Sequence, residues 1–183
     1  MPRPRHAVKP HKRVEKLSAE DYALVAGVLS SPLARNWAAA WAEVADDRLR
    51  LAESHLAVAV AVQAAGRQGV GGAEKRSVIS RAYYAMFCAG RSALSLVENG
   101  DVNDHQKLPA ILNKSTVLGP QADRDAVVAA LNKYRALRNE ADYSAYYPAP
   151  LGRDARAAVA AARKVLRICK RWVKTTKRTR GIL

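Results

Sequence analysis

The sequence predicts an all-α fold: an up-and-down bundle of about five helices, with short N-terminal lead-in helices and basic termini. Three observations point to it. Alanine supplies 36 of the 183 residues, and with Leu, Arg, Lys and Glu it belongs to the residues that enter a helix at least cost. Apolar positions recur at spacings of three and four in one segment after another. A length of 183 residues with 49% hydrophobic content suits one domain with a real core, and the composition all but excludes a β-sandwich.

Pro2, Pro4 and Pro10 stand among basic residues, so residues 1–17 read as a disordered arm with too little apolar surface to offset ordering. Residues 18–42 read as a helical lead-in. Ser18 with Asp21 resembles a cap ahead of Tyr22 to Leu29, and Ser31-Pro32 pairs an N-cap with proline at the first helical position before Trp37 and Trp41. The bundle proper is expected over residues 43–175, followed by a basic tail, 176–183. Its first helix, Glu43 to Gln63, carries Ala45, Leu49, Ala52, Leu56 and Ala59 on one face. The glycines between Gly66 and Gly72 have no preceding strand and no GK[ST], so they read as a connector rather than a phosphate loop.

The next helix has the clearest period, through Ile79, Tyr83, Met86 or Phe87, Gly90, Leu94 and Val97, and Asn99-Gly100 closes it. Gly90 on its packed face predicts a close approach by another helix. Asp101 to Asp104 offer caps for a short helix through His105, Leu108, Ile111 and Leu112. After Gly119-Pro120, Val127, Leu131, Tyr134, Arg138 and Ala141 or Asp142 mark a fourth helix, which Pro148 and Pro150 stop. The last helix is expected from about Asp154 to Thr175.

The formal charge is +15, and the two ends hold nearly all of it. Residues 1–16 contain six Lys or Arg against Glu15, and residues 163–180 contain nine with no acid. A near-neutral body with cationic ends fits a partner that is a polyanion, with RNA or single-stranded nucleic acid foremost. Arg163, Arg167, Lys170, Lys174 and Lys177 fall at spacings of 4, 3, 4 and 3, a stripe able to follow a phosphate backbone. Tails that merely keep an Ala-rich chain in solution are the plainer reading. The opposite face of this helix is only modestly apolar, which disfavours a membrane surface. No apolar run approaches the roughly 20 residues of a membrane span, and Met1 to His6 leads into no apolar signal core, so a cytoplasmic protein is expected.

Cys88 and Cys169 lie far apart without a CxxC, and both read as buried apolar side chains. With no HExxH, GxSxG or spaced carboxylate cluster, neither a metal nor another cofactor is predicted.

Arg138 stands out, because the helical period puts it on the stripe of Leu131 and Tyr134, one turn before Asp142. A guanidinium there needs a partner or a purpose. Two readings fit: an internal pair with Asp142, or a cleft in which the guanidinium meets phosphate in bidentate fashion. Tyr143, Tyr146 and Tyr147 likewise read either as a patch closing the bundle end or as rings that stack on unpaired bases.

The segment Ser80-Arg81-Ala82-Tyr83-Tyr84-Ala85-Met86-Phe87, then His105, then Arg138-Asn139-Glu140-Ala141-Asp142-Tyr143, resembles the HEPN superfamily over roughly residues 43 to 172. The likeness is to the branch with RAYYAMF-like and RNxADY-like motifs. This resemblance implies a helical bundle that pairs into a homodimer, in toxin–antitoxin or defence systems beside a nucleotidyltransferase-like partner that in some cases nucleotidylates a tyrosine near the motif. Many members are metal-independent RNases whose arginine is followed after four to six residues by a histidine.

Arg138 and Asn139 match the start of that motif. Tyr143, Ser144 and Ala145 occupy the histidine positions, and a phenol is a poor general base at neutral pH. His105 is the remaining histidine inside the strongly matching region. The candidate catalytic set is therefore Arg138, Asn139, Asp142, Tyr143 and His105. The candidate nucleic-acid-binding set is Arg163, Arg167, Lys170, Lys174, Lys177, Tyr146 and Tyr147. The function expected is an RNA-directed HEPN-like binding protein without the family histidine. An active metal-independent RNase using Arg138 with a substitute base, or a pure interaction module, are the alternatives.

Overall fold

The computed structural model describes residues 18, 31–66, 72–98, 100–148 and 150–182. The described residues form five α-helices and no strand. These are α1 (Ser31–Ala65), α2 (Ala73–Glu98), α3 (Lys107–Lys114), α4 (Gln121–Tyr143) and α5 (Leu151–Thr179), with a 3₁₀ turn at Thr116–Leu118. No helix among them is long and apolar enough to cross a membrane.

Ser31 to Ala65 is one unbroken helix, where the sequence reading divides a lead-in from a bundle helix near residue 42. The reason is local: between Pro32 and Gly66 there is no glycine or proline, and Ala38-Ala39-Ala40 propagates a helix readily. The arm, the cap at Asp21 and the segment Tyr22 to Leu29 lie outside the described residues.

From Val78 to Leu96 almost every side chain of α2 is buried, which makes α2 the central helix. Its contacts fix the directions of the others. At one end, Arg76 Nη1 donates to Ala141 O at 3.0 Å. Further along, Ser92 Oγ donates to Ala45 O at 2.6 Å, and at the far end Arg180 Nη2 donates to Val97 O at 3.2 Å. Thus α5 runs parallel to α2, while α1 and α4 run antiparallel to it. The short α3 leans on α2 at Gly90, where a Cβ would stand 3.2 Å from Leu112 Cδ1 and 3.3 Å from Leu108 Cδ2. The close approach expected at this glycine is observed.

Two features lock the far end. Asp101, expected as a helix cap, instead receives Arg48 of α1 at 2.7 Å and Arg91 Nε of α2 at 3.1 Å. Asp104 is the residue that caps α3, accepting from Gln106 N at 2.7 Å and Lys107 N at 3.1 Å. At the loop before α4, Gly119 lies over Trp172 of α5 with φ +136°. Both cysteines are free and buried, and burial pushes both thiols up.

Candidate functional site

Ser77, Ser80, Tyr84, Phe87 and Arg91 recur at helical spacing along α2, and Ser80 and Tyr84 of this stripe reach side chains of α4. Opposite them α4 presents Arg135, Arg138 and Asp142. The guanidinium of Arg138 is held from several directions. Its Nε pairs with Asp142 Oδ2 at 2.6 Å, Nη2 donates to Tyr84 Oη at 2.7 Å, and Nη1 donates to Asn139 Oδ1 at 3.2 Å. The rings of Tyr84 and Tyr143 lie 5.2 and 5.1 Å from its central carbon, within cation–π range. Ser80 Oγ donates to the same Asp142 oxygen at 3.2 Å, so the carboxylate is tied to both helices.

Beside this arginine opens a cleft of about 480 Å³ between α2 and α4, lined by Arg76, Ser77, Ser80, Arg81, Tyr84, Arg138 and Asp142 among others. Arg76 builds its floor by closing the end of α4. It donates to Ala141 O at 3.0 Å and Ser144 O at 2.7 Å, with longer bonds to Glu140 O and Ala145 O, both at 3.3 Å. Glu140 O also accepts the backbone N–H of Ser144 at 3.2 Å, while the other three carbonyls lie at or just beyond the helix end, where a cation complements the helix dipole. Arg81, in contrast, is exposed at the cleft edge.

His105, in the turn before α3, sits on the other side of Tyr84. Its ring stacks on Phe87 at 3.7 Å and meets Tyr84 edge-on at 6.0 Å, and its Nδ1 is 2.7 Å from Tyr83 Oη. Arg135 Nη1 holds its backbone carbonyl at 3.2 Å. Burial, then the charges of Arg138 and Arg91, lower its pKa and favour the neutral imidazole.

A model of the HEPN domain matches residues 45–172. The chain belongs to the HEPN domain family. No curated protein matches it. In this HEPN chain the residues expected as catalytic do gather: Arg138, Asn139, Asp142 and Tyr143 on α4, with His105 reached through Tyr84. Tyr143, at the first of the positions where a family histidine is expected, is 74% exposed.

The residues expected to bind nucleic acid are spread more widely. Arg163, Arg167 and Lys174 are exposed on α5, and no side-chain partner is seen for them among the described residues. Lys170 pairs with Glu53. Lys177 leaves the stripe: it is buried and bonded to Asp46 Oδ1 at 2.6 Å, so it ties α5 to α1. Tyr147 donates to Asp154 Oδ2 at 3.1 Å and lies against Arg76, closing the bundle end, whereas Tyr146 is 79% exposed.

In this HEPN chain Arg76, Ser77, Ser80, Arg81 and Tyr84 also line the cleft, although none is among the site residues expected from the sequence. A signal is present for most of them, since Ser77, Ser80 and Tyr84 share one helical face with Phe87. The capping by Arg76 has none, because it depends on where α4 ends.

Proposed function

We propose that this HEPN protein is RNA-directed, receiving the phosphate backbone in the cleft between α2 and α4, and that it works in a toxin–antitoxin or defence-type pair. One observation carries the reading: Arg138 is held between two tyrosine rings at the side of an open, polar cleft with Arg81 at its edge. Charge-assisted donation to phosphate and stacking on unpaired bases are both within reach of that arrangement. The exposed cations of α5 supply a second contact surface. Arg76 and Val97 mark the two ends of the bundle along α2, and 1.5 Å per residue makes that length about 30 Å. An RNA touching both surfaces would run along the bundle.

The test is equilibrium binding to short single-stranded RNA over a range of salt, with cleavage followed in EDTA. Arg138→Ala is expected to weaken binding by about tenfold to a hundredfold, the effect of losing a charged hydrogen bond. Arg138→Lys should restore little, since an ammonium lacks the planar fork. Neutralising Arg163, Arg167 and Lys174 should flatten the salt slope by roughly 0.7 to 0.9 for each phosphate that no longer meets a cation. An affinity indifferent to both salt and Arg138 removes the proposal and leaves an interaction module. Metal-independent cleavage that disappears in Arg138→Ala would instead establish an RNase with a substitute base.

We also propose a homodimer, formed on the side where α2 carries Tyr84 and α4 carries Arg138. Tyr83, on the same turn of α2, is fully buried within its own protomer and is not available for the contact. The apolar side chains Leu51 and Val58 of α1 are 48% and 43% exposed, one heptad apart, with His55 between them resting on Tyr84 at 5.7 Å. Light scattering at micromolar concentration should give twice the chain mass, and Leu51→Glu with Val58→Glu should return it to a monomer.

A further inference from the structure

His105 is bonded at one ring nitrogen and open at the other. Its Nδ1 lies 2.7 Å from the hydroxyl of Tyr83, and that phenol is almost wholly buried, with 1% of its surface exposed. No other partner of the Tyr83 hydroxyl is seen among the described residues. A buried hydroxyl that failed to donate would carry the full cost of desolvating its proton. Burial also pushes the phenol up to about 12, so it keeps that proton. Tyr83 therefore donates to Nδ1, and the neutral ring must carry its own hydrogen on Nε2.

Among the described residues no partner is seen for the Nε2 end, and it is not buried away. The ring cannot turn to hide it, because its face is stacked on Phe87 at 3.7 Å while the main chain is pinned by Arg135 and by the cap at Asp104. The charged and titratable groups around it are Tyr83, Tyr84 and Arg91 of α2, Arg135 and Arg138 of α4, and Asp104 of its own loop. Tyr84 joins this group to the cleft, since its edge meets His105 and its hydroxyl holds Arg138.

We propose that His105 is a neutral N–H donor, fixed in that form by Tyr83, which contacts a phosphate oxygen of the nucleotide next to the one held by Arg138. The inference rests on the RNA-directed reading of the cleft. It gives His105 a binding role in place of a general base, because a nitrogen that already bears hydrogen cannot accept a proton. It also lengthens the site. From Ser77 to Phe87 the stripe on α2 covers about 15 Å at 1.5 Å per residue, so the ligand it fits is a strand and not a single nucleotide.

Nitrogen-15 NMR of the imidazole in the full-length protein tests this directly. The free protein is expected to show His105 with hydrogen on Nε2 and a lone pair on Nδ1, and Tyr83→Phe is expected to lose that preference. Adding a short single-stranded RNA of mixed sequence should shift the Nε2 resonance. His105→Leu should weaken binding of that RNA by about five- to tenfold, the effect of one hydrogen bond, while His105→Gln, whose amide reaches the Nε2 position, should keep most of it. Hydrogen found on Nδ1, or an Nε2 resonance unmoved by RNA that still depends on Arg138, overturns the assignment and leaves the cleft standing. RNA that binds neither the wild type nor any variant overturns both.

Discussion

Replacing Asp101 with asparagine is expected to destabilise the fold by about 3 kcal/mol, the size of effect seen when one partner is removed from a buried ion pair. Its carboxylate is shared by Arg48, whose side chain is 4% exposed, and by Arg91, which is 16% exposed. Asparagine keeps the shape and removes the charge, so two guanidiniums then face each other in a poorly solvated place with one anion fewer. Desolvation makes such an imbalance costly, and a surface pair would show little of it. For a chain of this length the change corresponds to a fall in melting temperature of about 6 to 12 °C, measured by circular dichroism at neutral pH. A fall of under about 2 °C would show that water reaches the cluster freely.

Gly119→Ala is expected to be comparably damaging, at about 4 kcal/mol, for two reasons. The glycine has φ 136° and ψ −166°, a region that side chains with a Cβ rarely enter. In addition, the new Cβ would stand 2.6 Å from Trp172 Nε1, and Trp172 is 2% exposed with no room to retreat. The turn cannot shift easily either, since Arg124 Nη1 is bonded to the Gly119 carbonyl. Combining Gly119→Ala with Trp172→Phe separates the terms. Each single substitution should lower the melting point, but the pair should lose less than their sum, because phenylalanine removes the crowding and leaves the backbone strain. Strict additivity would mean that the indole does not crowd this turn.

The helices are readable from sequence because each signal is local. A period of 3.6 residues marks α2 and α4, and Gly90 can be assigned to a close crossing because it falls on a packed face. What escapes reading depends on residues distant along the chain. Asp101 resembles a cap, since nothing nearby announces that Arg48, on another helix, will reach it. Arg76 resembles an ordinary cation of a first helical turn until α4 ends against it.

Lys177 departs from its stripe for a geometric reason. A stripe spaced 4, 3, 4 and 3 assumes 3.5 residues per turn, whereas a straight helix drifts by about 20° in each heptad. Two heptads beyond Arg163 the drift reaches about 40°. That rotation accompanies the passage from an exposed Arg163 to a Lys177 buried against Asp46. Of the site itself, Arg138 and Asp142 are legible from their spacing, along with the choice between an internal pair and a phosphate cleft. The structure shows the internal pair made and the cleft open beside it.

Asp142 is, in effect, a tethered competitor for Arg138: covalently joined to the same helix, it presents its carboxylate at an effective concentration that a dissolved anion rarely matches. A lone phosphate must displace it with a single contact, and its gain is offset by the pair it breaks. A strand that also engages Arg81 and the exposed cations of α5 makes the exchange once and keeps its other contacts, so multivalency decides the outcome. Ser80, already donating to the same carboxylate oxygen, gives Asp142 a partner to keep when Arg138 lets go. On the RNA-directed reading proposed above, the arginine would thus be closed to abundant small anions and open to a polymer.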